Sequence, residues 1–193
     1  VDIEIFTPKS GGPRMIGERI RVNYLNSVKA LFYPEMRLSD PLALGQMNHF
    51  RKSGFDLIHF MTPGAMGEAA VFFSRIFRLP LIQTFHTFLN EPLSGLRIPE
   101  RMSWAYINHF NNKSDVVVCP SRYTMEELKK HGTKSRMEYI SNSIDVERFD
   151  GDFGSGGYFL YYGRVAAEKS IGVLVEAFSG LDEELWIVGD GPQ

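Results

Sequence analysis

The chain has 193 residues, 44% of them hydrophobic and 23% charged, with a formal net charge of -2. Such proportions supply a sizeable core and exclude disorder on compositional grounds, and the length suits one large domain, or one domain and part of another. The near-neutral balance, without a long run of like charge, argues against a nucleic-acid partner, and the single cysteine excludes an internal disulfide framework.

In chain order, residues 1–6 read as a strand that begins abruptly. The segment 24–44 holds Tyr24, Phe32, Tyr33, Pro34, Met36 and Leu38 without clean periodicity. Short strands joined by an apolar loop account for it, either as local core or as an exposed contact surface. Residues 56–60 read as a buried strand, 65–78 carry apolar residues at helical spacing, and 81–85 form a second strand after Pro80. A helix over 99–111 leads to a strand at 116–119, where Cys119 reads as a small buried hydrophobe rather than a nucleophile. Ser121 is placed to cap the next helix, which runs to a stop at Gly132, and a strand at 137–140 closes the series. Strands alternating with helices of this length imply parallel pairing through right-handed crossovers, hence an α/β doubly wound sheet.

Gly, Ser and Asp dominate residues 150–157, which predicts a hinge between a first domain at 1–149 and a second at 158–193. After the hinge come a strand at 158–162, a helix at 169–178, a strand at 184–188 and a turn at 189–192. One βαβ unit cannot bury both of its faces, so the second domain reads as the start of a larger sheet. No run reaches the roughly 18–20 apolar residues of a membrane helix, and no export pattern opens the chain. The expected location is cytoplasmic.

Chemistry concentrates in Gly163-Arg164-Val165-Ala166-Ala167-Glu168-Lys169, between a strand and a helix. Gly163 permits a tight turn, Arg164 offers a planar fork of donors matched to phosphate oxygens, and Lys169 adds a mobile charge. The following helix points its amides and positive dipole end at the same place. Together they suit a diphosphate without a metal; the plainer alternative is Arg164 paired with Glu168 on a solvated helix start. His86 directly follows a strand, where its imidazole could serve a sugar hydroxyl or a developing charge, or merely satisfy a loop. His59 lies between apolar neighbours, which favours a buried, hydrogen-bonded role, while His49, His109 and His131 fall in helical contexts and read as solvated. The histidines lack metal-ligand spacing, and neither a Gly-x-Ser-x-Gly elbow nor a phosphate-loop lysine motif occurs.

Asp56-Leu57-Ile58-His59, Thr62-Pro63-Gly64 and Pro80-Leu81-Ile82-Gln83-Thr84-Phe85-His86-Thr87 resemble the N-terminal domain of glycosyltransferase family 4. The resemblance continues through Val118-Cys119-Pro120-Ser121 and Ile140-Ser141-Asn142-Ser143-Ile144-Asp145 with Phe149. It then takes in Tyr162-Gly163-Arg164 with Glu168-Lys169, and Ile187-Val188-Gly189-Asp190-Gly191-Pro192. It implies the GT-B fold of two facing Rossmann-like domains and transfer with retained anomeric configuration. Gly163, Arg164 and Lys169 would then grip the donor diphosphate, and His86 would contact the donor sugar near the reaction centre.

Three departures stand out. Asn142-Ser143 replaces the usual Asn-Gly, and Lys169-Ser170 the usual Lys-Gly. The glycine-rich loop after the first strand and the Glu-x7-Glu motif are both missing, so this stretch is expected to carry an incomplete donor site and to be inactive by itself. Tyr33-Pro34-Glu35-Met36-Arg37-Leu38 resembles the subgroup that acts on lipid or polyprenol-type acceptors, such as mannosyl- and sulfoquinovosyl-diacylglycerol-forming enzymes. The expectation is therefore a retaining hexosyltransferase that uses a nucleoside-diphosphate sugar, with no cofactor and no metal. Its acceptor would be a sugar, lipid or glycolipid, met at the inner face of the cell membrane through peripheral contact. The alternative is a non-catalytic GT-B-like protein that binds the sugar nucleotide.

Overall fold

The computed structural model describes residues 1–9, 11–29, 37–39, 44–61, 63–86, 99–149, 151, 154 and 156–191. The run 32–36, Thr62, Thr87, half of the 150–157 link and Pro192 lie outside the described residues, as does the side chain of Glu168. The chain forms two compact units, Val1–Asn142 and Ser143–Gln193.

The first unit opens with β1 (Ile3–Pro8), β2 (Met15–Ile16) and β3 (Ile20–Leu25), followed by β4 (Ser27–Lys29), β5 (Arg37–Ser39) and α1 (Leu44–Ser53). It continues through β6 (Ile58–Phe60), α2 (Ala65–Phe77), β7 (Leu81–Thr84), α3 (Glu100–Asn111), β8 (Val116–Cys119), α4 (Arg122–Lys130) and β9 (Arg136–Tyr139). β6-β7-β8-β9 form an all-parallel sheet in sequence order. This is the α/β, parallel-stranded architecture that the alternation of strand and helix requires. Two smaller sheets add antiparallel pairing: β1-β3-β2, in which β2 and β3 form a hairpin beside parallel β1 and β3, and the ribbon β4-β5.

Alternation along the strands sends Leu81, Gln83, Phe85, Val117 and Cys119 to one buried face. There Phe85, Val117 and Cys119 pack with Trp104 and Ile107 of α3 and Leu128 of α4. Phe60 and Leu81 pack with Ala70 and Val71 of α2 and Phe110 of α3. Each fully buried aliphatic or aromatic side chain contributes about 1.5–3 kcal/mol, which ties all three helices to this face. Cys119 is fully buried, and burial pushes its thiol above the usual range, so it is a core residue and a poor nucleophile. Ser121 caps α4 as expected, its Oγ accepting the Thr124 amide at 3.0 Å.

Beneath α1, Glu4 of β1 bonds His49 Nε2 at 2.6 Å and accepts from Asn23 Nδ2 at 2.9 Å, with Arg21 at 3.5 Å. Burial works against the charged carboxylate. The hydrogen bonds from His49 and Asn23 and the charges of His49 and Arg21 outweigh it, leaving Glu4 below its ordinary value of 4.5. A carboxyl depressed in the folded state stabilises the protein above its unfolded value and loses that contribution as pH falls through the folded one. The thermal midpoint of the wild type should therefore drop below about pH 4.5 more steeply than that of Glu4→Gln. Parallel acid limbs in a scan across pH 3 to 6 would contradict this.

The second unit holds a 3-10 turn (Val146–Arg148), β10 (Phe159–Tyr162), a second 3-10 turn (Ala167–Lys169), α5 (Ile171–Phe178) and β11 (Leu185–Val188), with β10 and β11 paired in parallel. One expectation needs correction. The helix does not begin at Lys169, which ends the 3-10 turn; α5 starts at Ile171, after Ser170 at φ 52° and ψ 39°. A left-handed residue interrupts helical continuity, and Ser170 makes no capping side-chain bond in compensation. The strain that a glycine would relieve thus falls at Lys169-Ser170, whereas Ser143 does not have positive φ. Relief of about 1–2 kcal/mol from the left-handed side chain, set against glycine's added entropy of about 0.5–1 kcal/mol, leaves a small net gain. Ser170→Gly should slow hydrogen exchange in α5 slightly; faster exchange there would show that the serine is favoured in place.

Candidate functional site

His86 owes its position to β7. Phe85, buried at 5% exposure, donates its amide to the Val118 carbonyl at 2.9 Å and so carries the β7–β8 pairing one residue beyond the strand. With that residue pinned in the core, His86 emerges exposed at the carboxyl end of the parallel sheet. Ligands of open α/β sheets gather at this edge. The α4 N-terminus, with its Ser121 cap, begins at the same end of the neighbouring strand β8.

His59, on β6, is hydrogen-bonded as expected but exposed rather than buried. Its Nε2 lies 2.7 Å from Thr84 Oγ1, two residues before His86. Partial removal from water lowers the proton affinity of the His59 ring, and the charge of His86 lowers it further. Thr84 was not evident from sequence because a threonine in a strand is an ordinary choice; only the neighbouring strand brings a histidine against it.

The remaining histidines have structural partners. His49 binds Glu4, His109 Nε2 binds Glu68 Oε1 at 2.6 Å, and the His131 ring stacks on Trp104 at 3.9 Å between centroids. They are held in contacts rather than freely solvated. Among the described residues, no group of three or more His, Cys, Asp or Glu is placed to hold a metal ion, and no helix is long and apolar enough to cross a membrane.

In the second unit, Gly163, Arg164 and Lys169 share the connection from β10 to α5, beyond the carboxyl end of β10. The ladder continues past the strands, with the Gly163 amide donating to the Val188 carbonyl at 3.0 Å and the Val165 amide to the Asp190 carbonyl at 3.0 Å. This holds residues 163–165 extended against 188–190. A Cβ on Gly189 would fall onto the Gly163 carbonyl, and one on Gly191 onto the Val165 carbonyl. The Gly189-Asp190-Gly191 turn therefore has glycines where two backbones touch. The Arg164 carbonyl accepts from the Tyr161 hydroxyl at 2.9 Å, which fixes the backbone of this exposed arginine. Ala166, buried at 1% exposure, anchors the other side of the loop, and exposed Lys169 follows three residues later. The glycine contacts were hidden in sequence, since they join residues 26 positions apart just beyond the ends of two paired strands, whereas the Tyr161 bond is local, to a residue three positions on.

The Val173 and Leu174 amides both bond the Ser170 carbonyl, and the first amides of α5 open toward the loop that carries Arg164 and Lys169. Two cations and a helix N-terminus on one loop can bind a multiply charged anion. His86 stands in the first unit, and Gly163, Arg164 and Lys169 in the second.

The sequence model of Glycosyltransferase Family 4 matches residues 1–148. The chain is 27% identical over 152 residues to a GDP-mannose-dependent alpha-mannosyltransferase of Corynebacterium glutamicum, covering 72% of this chain and 37% of that protein. It is 24% identical over 162 residues to an alpha-monoglucosyldiacylglycerol synthase of Streptococcus pneumoniae, covering 71% and 37%. With a sulfoquinovosyl transferase of Arabidopsis thaliana it shares 23% identity over 199 residues, covering 94% and 38%. The chain thus spans less than two fifths of the length of these relatives.

Proposed function

The chain belongs to Glycosyltransferase Family 4, and from that membership we propose that it is the donor-gripping and sugar-contacting part of a retaining hexosyltransferase. The donor is a nucleoside-diphosphate sugar, and the reaction moves its hexose to an acceptor hydroxyl. The observation that carries this reading is the β10–α5 loop, which presents Arg164 and Lys169 beside a helix N-terminus. A diphosphate leaves as an anion, so positive groups held in place before the reaction favour its departure. His86, at the carboxyl edge of the other unit, contacts the hexose. The names of two relatives, a monoglucosyldiacylglycerol synthase and a sulfoquinovosyl transferase, favour a lipid or glycolipid acceptor reached at a membrane surface.

Calorimetry of the intact protein with UDP and GDP tests the donor half. Hydrogen bonds to charged groups contribute about 1.5–3 kcal/mol each, so Arg164→Ala should weaken diphosphate binding roughly tenfold or more. Lys169→Ala should weaken it similarly. Arg164→Lys should recover only part of the loss, because a point charge cannot reproduce the guanidinium fork. Unchanged affinity in both alanine variants would remove the diphosphate from this loop.

A further inference from the structure

The Thr84 hydroxyl fixes the chemistry of His59. Thr84 is 7% exposed, and its Oγ1 lies 2.7 Å from His59 Nε2. A buried hydroxyl proton without an acceptor costs about 1–3 kcal/mol. Among the described residues, the ring nitrogen of His59 is the acceptor that Thr84 meets. The hydroxyl therefore donates to Nε2, which places the proton of the neutral imidazole on Nδ1.

A purely structural tie would not need this arrangement. A valine at position 84 would need no acceptor, and the exposed His59 ring could meet water instead, so burial of residue 84 does not require the hydroxyl. Instead, an exposed aromatic ring is locked in one orientation and one tautomer at the ligand edge of the sheet, on the strand beside the one that carries His86. Locking a side chain before binding lowers the ordering cost that binding must meet.

We propose that His59 is a second ligand-contacting imidazole, oriented by Thr84, whose Nδ1–H donates to a hydroxyl of the hexose that His86 also contacts. The lowered proton affinity of the ring agrees with a neutral donor, since a charged ring would lose the bond from Thr84. The proposal rests on the functional reading above and adds a residue that recognises the sugar rather than the diphosphate.

Glutamine and asparagine separate the two ends of the ring. Asparagine places an amide N–H near the position of Nδ1, whereas glutamine reaches toward Thr84 and leaves that position empty. Calorimetry on the intact protein would compare UDP-glucose and GDP-mannose with UDP and GDP. His59→Gln should bind the accepted nucleotide sugar about three- to tenfold more weakly, the effect of one neutral hydrogen bond. It should bind the free nucleoside diphosphate as the wild type does. His59→Asn should recover most of the loss, and Thr84→Val should reproduce part of it while shifting the His59 tautomer seen by nitrogen NMR. Equal losses in the Gln and Asn variants, or wild-type sugar-nucleotide affinity in His59→Gln, would overturn the proposal and leave the diphosphate assignment standing. A wild type that binds neither the nucleotide sugars nor the diphosphates would overturn both.

Discussion

Gly191→Ala is expected to unfold the second unit while the first remains folded. The added Cβ would overlap the Val165 carbonyl oxygen and lie 2.8 Å from the Val165 nitrogen. Both are backbone atoms, so no rotamer change relieves the overlap. Gly189→Ala meets the same obstacle at the Gly163 carbonyl, whose carbon would lie 2.9 Å away. Separating the two segments breaks the hydrogen bonds that continue the β10–β11 ladder and releases the loop that carries Arg164. The cost should reach about 3 kcal/mol or more, at the upper end for overpacking, because backbone must move. Gly172→Ala is the control. Nothing lies within 4 Å of its Cβ, and alanine favours a helix over glycine by up to about 1 kcal/mol. Hydrogen exchange read separately over residues 159–162 and 81–84 decides the outcome. Slow exchange at β10 in Gly191→Ala would mean that the two backbones are farther apart than described.

His86→Ala should leave stability nearly unchanged and abolish most of the turnover. The ring is exposed at the end of a strand, so it contributes little to core packing, while Phe85 beside it holds the strand end. Removing one preorganised donor from the site of developing charge typically costs about 10²–10³ in rate. Measured on the intact enzyme, nucleoside diphosphate release should fall by that factor with the melting temperature within about a degree of wild type. A variant that melts early yet turns over normally would make His86 a loop-stabilising residue.

Much of this chain could be read directly from its residues. The strand at Val116–Cys119, the helix Ala65–Phe77 and the cap at Ser121 follow from local rules: apolar runs, 3.6-residue spacing and a side chain that accepts an amide three residues on. The hairpin of β2 and β3 went unread although Ile20-Arg21-Val22-Asn23-Tyr24 alternates apolar and polar residues, because its partner strand, Met15–Ile16, is too short to show a pattern of its own. The start of α5 was misplaced for a related reason. Lys169 and Ser170 carry no strong stop signal, yet the backbone turns left-handed at Ser170 and resets the helix.

The sequence alone therefore determined the class of the fold, the family and the identities of the candidate groups, His86, Gly163, Arg164 and Lys169. Each depends on residue type and short-range order, which one strand or one loop can encode. Tertiary structure decided which side chains stand beside one another. It set His59 against Thr84 across two strands while sending His49, His109 and His131 into structural contacts. It also brought Gly189 and Gly191 against the loop that presents Arg164. The His59–Thr84 and glycine relations arise from parallel pairing of segments about 25 positions apart, and the other histidine contacts from helices packing on strands and on one another, so backbone placement rather than local composition dictates which side chains meet.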